Sequence, residues 1–525
     1  MKKNLVLISF CLLACLHVGA QSVGIGTTTP DASAQLDISN TSKGILIPRM
    51  NTASVLSIVN PAKGLMVYDT SKNELMVNMG TSGSPDWRSI AYNSAWSMKG
   101  NAGTNPSTHF IGTIDNAPLF FRIRNKQAGK IDSVSGHTFY GYKAGINTAN
   151  TAPLNTAIGN NAFASNATGH YNTAVGAYAL HNNTTGIMNS AFGVNALKEN
   201  TTANFCVAFG LDALEHNSGN SNSAFGNSTL KWNTIGFANT ALGSGALALN
   251  STGSLNVATG RVAMFSNTTG FNNVAMGAES LNRNTTGFYN AALGDGSLYA
   301  NTVGFANTAC GSGALYNTTV SSYNTTLGYH AGFSFNLGWN NTLIGADCNF
   351  IEGDLFNSVA LGHNVTITAS NQARIGNSST TSIGGYTNWT NISDGRYKKN
   401  VRENVSGLDF IMKLRPITYQ LDVTNLAAKL NESSEHRETS GMAIAMADKE
   451  SMIQSGFIAQ EVEQAANALG FEFSGVDKPK NQEDLYGLRY AEFVVPLVKA
   501  TQELQQQVQE LQLQLADLKT KLNNK

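Results

Sequence analysis

From Gly159 onward a glycine returns at a fixed step. Positions 159, 176, 193 and 210, then 226, 243, 260, 277, 294, 311, 328, 345 and 362 lie 17 apart, with one step of 16 between Gly210 and Gly226. Each closes a similar phrase: Asn155-Thr-Ala-Ile-Gly159, Asn172-Thr-Ala-Val-Gly176, Asn239-Thr-Ala-Leu-Gly243, Asn290-Ala-Ala-Leu-Gly294. The series frays at its ends, where Gly145 and Gly376 come at shorter steps. A period this short leaves no room for the helix pairs of most solenoids. It accommodates two short strands and two turns. The Ala-x-Gly phrase reads as one strand, and the Ala-Leu phrase three or four residues later as the other. Asn-Thr-Thr-Gly reads as a turn, because glycine reaches positive φ without a Cβ clash and asparagine tolerates it. Alternation directs alanine, leucine, valine and isoleucine inward. One unit buries too little to fold alone, so the units must stack around a shared core. The expectation is a stiff rod, over 141–376, with a polar and nearly uncharged exterior. Triplets such as Asn166-Ala-Thr168 and Asn183-Thr-Thr185 match a glycan acceptor, but repetition of the turn accounts for them.

Charge excludes some functions. Lysines plus arginines equal aspartates plus glutamates at 34 each, so there is no basic footprint for nucleic acid. The 51 glycines follow no G-x-y period, which rules out collagen. The cysteines (Cys11, Cys15, Cys206, Cys310 and Cys348) have neither disulfide-scaffold nor metal-site spacing, so no metal or cofactor is expected. Asp212, Glu215 and Asp295 occupy repeat positions and read as solvated surface groups rather than an acidic catalytic pair.

The N-terminus has the pattern of an export signal over 1–20. Lys2 and Lys3 precede an apolar run from Leu5 to Cys15, and Val18-Gly19-Ala20 offers a cleavage site before Gln21. Leu12-Leu13-Ala14-Cys15 also has the form of a lipoprotein box, which would anchor the chain through Cys15. No later run reaches the roughly 18 apolar residues of a spanning helix. Short strand-like runs separated by glycine, proline and polar turns make 21–95 a small β module. Residues 96–140 read as a β-rich connector, with strands at Phe110-Ile111-Gly112 and Pro118 to Ile123 around the Asp115-Asn116 turn, and Trp96 as a packing residue.

After Thr390 charge and helix formers return. Leu408 to Leu414 reads as a short helix stopped by Pro416, and Ile417 to Leu421 as a strand. Residues 422–450 read as a polar loop. A helix following Gly456 carries Val462, Ala465, Ala466 and Leu469, and Tyr490 to Leu522 is one long helix. Leu504, Val508, Leu511, Leu515, Leu518 and Leu522 alternate steps of four and three, a coiled-coil seam over 499–525 that predicts self-association. The fold class is therefore mainly β, a short N-terminal module and a repeat shaft, followed by an α+β domain ending in a coiled-coil helix.

Two resemblances follow. The repeats, with Gly24-Ile-Gly-Thr-Thr-Thr-Pro30, resemble trimeric adhesin heads and Bacteroidetes-type exported fibre proteins. The C-terminal region resembles the intramolecular chaperone of endosialidases and phage tail spikes, the S74 peptidase family. Its motif is matched by Ser393-Asp394-Gly395-Arg396-Tyr397-Lys398-Lys399-Asn400-Val401. Leu414-Arg415-Pro416 with Tyr419, Gly456-Phe-Ile-Ala-Gln-Glu-Val462, and Tyr490 with Pro496-Leu497 match later elements in order. The resemblance implies a chaperone domain over 393–498, reached through a linker at 377–392, that trimerises, assists folding of the upstream fibre and releases itself. It implies a cut between Ile392 and Ser393, with Ser393 as nucleophile and Lys398 as general base. A serine hydroxyl needs such a base, and a lysine serves once desolvation or nearby positive charge favours its neutral form. Arg396 and Lys399 are candidates for that charge, and Asp394 for pairing with Arg396.

The expected protein is an exported homotrimeric fibre at the bacterial cell surface or secreted, with a carbohydrate or protein ligand. Contact with a membrane would come only through an N-terminal lipid anchor. The alternatives are a phage-type tail fibre or spike, or a non-cleaving fibre with a permanent trimerisation domain.

Overall fold

The computed structural model describes residues 22–90, 104–105, 107–334, 336, 338–352, 354–432 and 440–524. The segment read as an export signal, with Cys11 and Cys15, and Trp96 lie outside them. The chain divides into two compact units, Met1–Gly112 and Thr113–Lys525.

In the first unit a parallel pair, Val23–Ile25 with Leu36–Ile38, precedes a four-stranded sheet. The sheet runs Arg49–Met50, Met66–Asp69, Glu74–Asn78, Trp87–Ser89. Asn51 caps the short helix Thr52–Leu56 by accepting from the Ser54 amide, and Val55 packs on Val67 and Met76. Phe110 to Gly112 is not a strand: its apolar side chains are exposed and nothing pairs with it.

The second unit opens with an antiparallel hairpin, Leu119–Ile123 and Lys126–Asp132, that pairs onward to His137–Tyr140. From there every pairing along the stack is parallel. Thr138 stands beside Thr156, and Ala157, Ala174, Ala191, Ala208 and Ala224 stand in register. The ladder continues coil by coil to its last strand, Ala373–Ile375. Its core consists largely of fully buried alanine and leucine.

The structure corrects the sequence reading of the repeat in three ways. Most coils contain one three-residue strand, not two. The Ala-Leu phrase instead curls through left-handed backbone, with φ of 51° at Leu197, 51° at Leu214 and 48° at Leu281. Such a conformation costs about 1–3 kcal/mol in a non-glycine residue. Complete burial of each leucine, worth about 1.5–3 kcal/mol, offsets it. Only the last coils straighten this phrase, where Asn349–Phe350 pairs with Thr366–Ile367.

The second correction concerns the asparagines of the Asn-Thr-Thr-Gly and Asn-x-Ala phrases, which lie inside the stack and not at positive φ; the left-handed asparagines, such as Asn161, Asn195 and Asn272, sit elsewhere in the coil. Two columns of buried asparagines run through it. In one, the Asn273 amide nitrogen donates to Gly287 O at 2.8 Å, its backbone N–H donates to Asn256 Oδ1 at 3.0 Å, and its own Oδ1 accepts from Asn290 N at 3.0 Å. In the other, Asn284 donates to Asn267 Oδ1 at 2.8 Å and Gly287 O at 3.0 Å. Nearly every amide is satisfied by its own turn and the adjacent coils, the buried Asn301 Oδ1 being without a hydrogen bond, which is how so polar a core stays buried. Asn166 and Asn183 belong to this second column and are fully buried.

Third, the exterior is not uniformly polar. The residue between the buried alanine and the anchor glycine must point outward by strand alternation. It is apolar and exposed at Ile158, Phe209, Phe225, Leu242, Met276, Leu293, Leu327, Ile344 and Leu361, half-buried at Val175, Phe192 and Cys310, and polar at Thr259. Twelve steps from Gly159 to Gly362, at about 4.8 Å each, make this apolar row roughly 60 Å long.

The acidic side chains also differ from expectation. Asp295 is exposed, but Glu215 is buried and Asp212 half-buried in an ion cluster at the 16-residue coil. Lys231 Nζ lies 2.9 Å from Asp212 and 3.3 Å from Glu215, and His216 stacks on Trp232. Cys206 and Cys348 are buried free thiols in core columns, and Cys310 is half-buried.

At the start of the stack Lys130 and Asp132 form a buried ion pair at 2.9 Å, with Ser135 donating to Asp132 at 2.6 Å. Removing one partner of such a pair costs about 3–5 kcal/mol, whereas replacing both by apolar residues is nearly neutral. Asp132→Ala is therefore expected to open 119–140 to hydrogen exchange by several kcal/mol. Lys130→Met with Asp132→Leu should restore most of the protection.

Beyond the stack, strand Ile417–Tyr419 pairs antiparallel with Gln454–Gly456. Phe410, Val462, Ala465, Ala466 and Phe493 form a separate core. Residues 422–450 are not simply a loop. They contain helices Val423–Lys429 and Ser440–Ser451, joined through Val423, Ala427 and Met446. The long helix is Val494–Asn523, entered through a 3-10 turn at Tyr490–Phe493. Its seam residues Leu504 to Leu522 are all exposed in the single chain. No helix among the described residues is long and apolar enough to cross a membrane.

Candidate functional site

A 3-10 turn, Gly395–Tyr397, folds the Ser393 motif back on itself. Asp394 caps it, accepting from Arg396 N at 2.9 Å, and its carbonyl accepts from Tyr397 N at 3.1 Å. Lys398 N closes the turn on Gly395 O at 3.2 Å. The five-residue separation of Ser393 and Lys398 thereby becomes a contact: Lys398 Nζ lies 2.9 Å from Ser393 Oγ. That distance is within reach for proton transfer.

Two other charges in the motif, Asp394 and Arg396, are paired with one another. Arg396 Nε donates to Asp394 Oδ2 at 3.0 Å, and Nη2 to the same oxygen at 2.6 Å. This guanidinium, joined by the Arg396 backbone N–H, holds the Asp394 carboxyl below the usual carboxylate range. Asp394 raises Arg396 in return. Arg396 is thus committed to Asp394, and Asp394 to Arg396. Ser393, Lys398 and Lys399 are exposed, as is Ile392, whose carbonyl precedes the serine.

The remaining sequence phrases meet around a second point. Arg415 Nε donates to Glu461 Oε2 at 3.0 Å, joining the Arg-Pro phrase to the Gln-Glu-Val phrase. Tyr490 Oη accepts from Phe457 N at 3.2 Å. A Cβ at Gly456 would stand 2.3 Å from that hydroxyl, so a larger residue there would displace Tyr490. Glu503, on the long helix, accepts from Leu408 N at 2.7 Å and ties the short helix Leu408–Ile411 to it. These contacts build the scaffold of the domain.

The sequence reading missed the contacts between this domain and the end of the stack. Asp484 and Glu432, both buried, reach Thr368 and Ser378. No local pattern marks either residue, and the partners are 116 and 54 positions apart. Among the described residues no group of three or more His, Cys, Asp or Glu is placed to hold a metal.

Two segments match known families. Residues 24–105 match the phage tail like trimerisation region, and residues 393–471 match the chaperone of endosialidase, peptidase S74. No curated protein matches the chain.

Proposed function

We propose that this chain, with a phage-tail-like trimerisation region at one end and an endosialidase-type chaperone segment near the other, is an exported trimeric fibre that frees itself from its chaperone. The observation that carries the trimeric fibre is the apolar row on the strand face of the stack. An exposed surface of this length that is apolar at all but Thr259 marks an interface. The exposed leucine seam of Val494–Asn523 requires partners in the same way. Export and a surface location rest on the N-terminal signal pattern.

The cleavage reading assigns Ser393 and Lys398 their roles. Lys398 Nζ takes the proton of Ser393 Oγ, and Oγ attacks the Ile392 carbonyl carbon. The amide C–N bond breaks, its nitrogen gains a proton, and Ile392 is left esterified to Oγ. Water hydrolyses the ester to an Ile392 carboxylate and a free Ser393 hydroxyl and amine. In the single chain both side chains face solvent, whereas a lysine base works best when desolvated. Reaction is therefore assigned to the trimer, where neighbouring copies cover the turn. The exposure of the pair also favours a second reading, a trimerisation domain that stays attached. A tail-fibre role accords with the description of the N-terminal match.

Sedimentation equilibrium tests the trimer. The intact protein is expected at three times the chain mass. Leu293→Asp with Leu327→Asp, two outward positions two coils apart, should shift it toward monomer and aggregates. A monomeric wild type would overturn the reading.

A further inference from the structure

A stack of coils needs its last open end covered, because unpaired strand groups and core side chains are exposed there. The final strand here is unusual: Arg374 occupies the position that Ala360 holds one coil earlier. Its guanidinium bonds Thr366 O at 2.8 Å and Thr368 Oγ1 at 2.6 Å, so the stack ends in a polar plate. The chaperone segment carries the complement. Asp484 accepts from Thr368 Oγ1 and from Gln372 Nε2, the latter at 3.0 Å, and stands 3.7 Å from Arg374. Asn481 donates to Thr368 O at 2.8 Å, and Lys480 Nζ to Ser370 O at 3.2 Å. On another side, Glu432 takes Ser378 N at 2.9 Å and Ser378 Oγ at 2.6 Å.

These donors converge only when the coil is closed. Gln372 Oε1 accepts from Thr368 N and Ala369 N, each at 3.2 Å, and this aligns Thr368 and Gln372 for Asp484. The bonds that Thr368 and Ser378 make to the Asp484 and Glu432 carboxylates are charge-assisted and buried, which makes them stronger than ordinary surface contacts. None of them involves Ser393, Lys398 or the chain between 382 and 400.

We propose that the 480–484 loop and Glu432 form a docking surface for the finished last coil, which keeps 393–525 seated on the shaft after the backbone between them is cut. The partner is the end of this chain's own shaft. Cutting and release are then separate events, and an unfinished coil is not held.

The test leaves self-cleavage aside. In Ser393→Ala protein the exposed linker at 384–391 is replaced by the recognition site of an added protease. The protein is cut, and the shaft and 393–525 fragments are followed by gel filtration and mass. They are expected to co-elute. Asp484→Ala with Glu432→Ala should speed release by about a hundredfold, the scale of losing charge-assisted hydrogen bonds. Because those substitutions bear on folding of the chaperone segment, Thr368→Val with Ser378→Ala makes the same break from the shaft side and should give the same loss. Immediate separation of the unmodified surfaces would overturn the proposal. So would co-elution that survives both pairs of substitutions. Failure of Ser393→Ala to block spontaneous cutting would count against the cleavage reading alone.

Discussion

Freshly purified full-length protein is expected to give two fragments by intact mass, one ending at Ile392 and one beginning at Ser393. Ser393→Ala and Lys398→Ala should each give a single uncut chain. The effect is all-or-none, because among the described residues Lys398 Nζ, at 2.9 Å, is the one base at hydrogen-bond distance from Ser393 Oγ. Arg396→Ala has a different expected signature. It frees Asp394, whose carboxylate then competes for Lys398 and holds it protonated, so cutting should slow without stopping. An uncut wild type in assembled trimers would establish the attached-domain reading. Cutting that persists in Lys398→Ala would remove the lysine from the mechanism.

The second large effect is structural. Gly277→Ala is expected to destroy its coil and the pairing on either side. A Cβ there would lie 2.4 Å from Gly294 O and 2.5 Å from Gly294 C, both backbone atoms of the next coil. The residue also has φ of +142°, a conformation open essentially to glycine alone. Strain and overpacking together put the cost at about 3 kcal/mol or more. Gly245→Asn is the control. Its φ is +70°, the nearest obstacle is the Val262 side chain at 3.1 Å, and the equivalent position three and five coils earlier is already occupied by Asn195 and Asn161. Limited proteolysis should cut Gly277→Ala within the stack and spare Gly245→Asn. Equal resistance in both would show that the stack tolerates a bulged coil.

The two glycines show what was legible in the sequence. Period and anchor position reveal the parallel stack, since only a repeated backbone contact demands the same small residue every 17 positions. The asparagine columns were harder to read. Within one repeat, Asn-Thr-Thr-Gly has the composition of a turn, and of the partners of Asn267 only Gly270 O lies in its own repeat, Asn250 and Asn284 being supplied by the coils on either side. Likewise the Ala-Leu phrase has strand-like composition, and its left-handed turn follows from closing a coil in so few residues. Helices Val423–Lys429 and Ser440–Ser451 were missed because each contributes few apolar side chains to a small shared cluster. At the candidate site Ser393 and Lys398 came from the motif, whereas the 3-10 turn that joins them depends on Asp394 acting as a cap. The docking of Asp484 on Thr368 is a contact between remote segments, and local pattern carries no trace of it.

The short coil between Gly210 and Gly226 has a consequence for assembly. Elsewhere the stack has near-translational symmetry, so three chains displaced by one whole coil would match almost as well as three chains in line. At this coil the symmetry is broken. Cys206 replaces an asparagine of the first column, the step shortens by one residue, and Asp212, Glu215, Lys198 and Lys231 place a knot of charge on an otherwise nearly neutral shaft. One defect of this kind is enough to set an origin. Like a single marked division on a plain scale, it makes every displaced alignment of the three chains distinguishable in energy from the correct one.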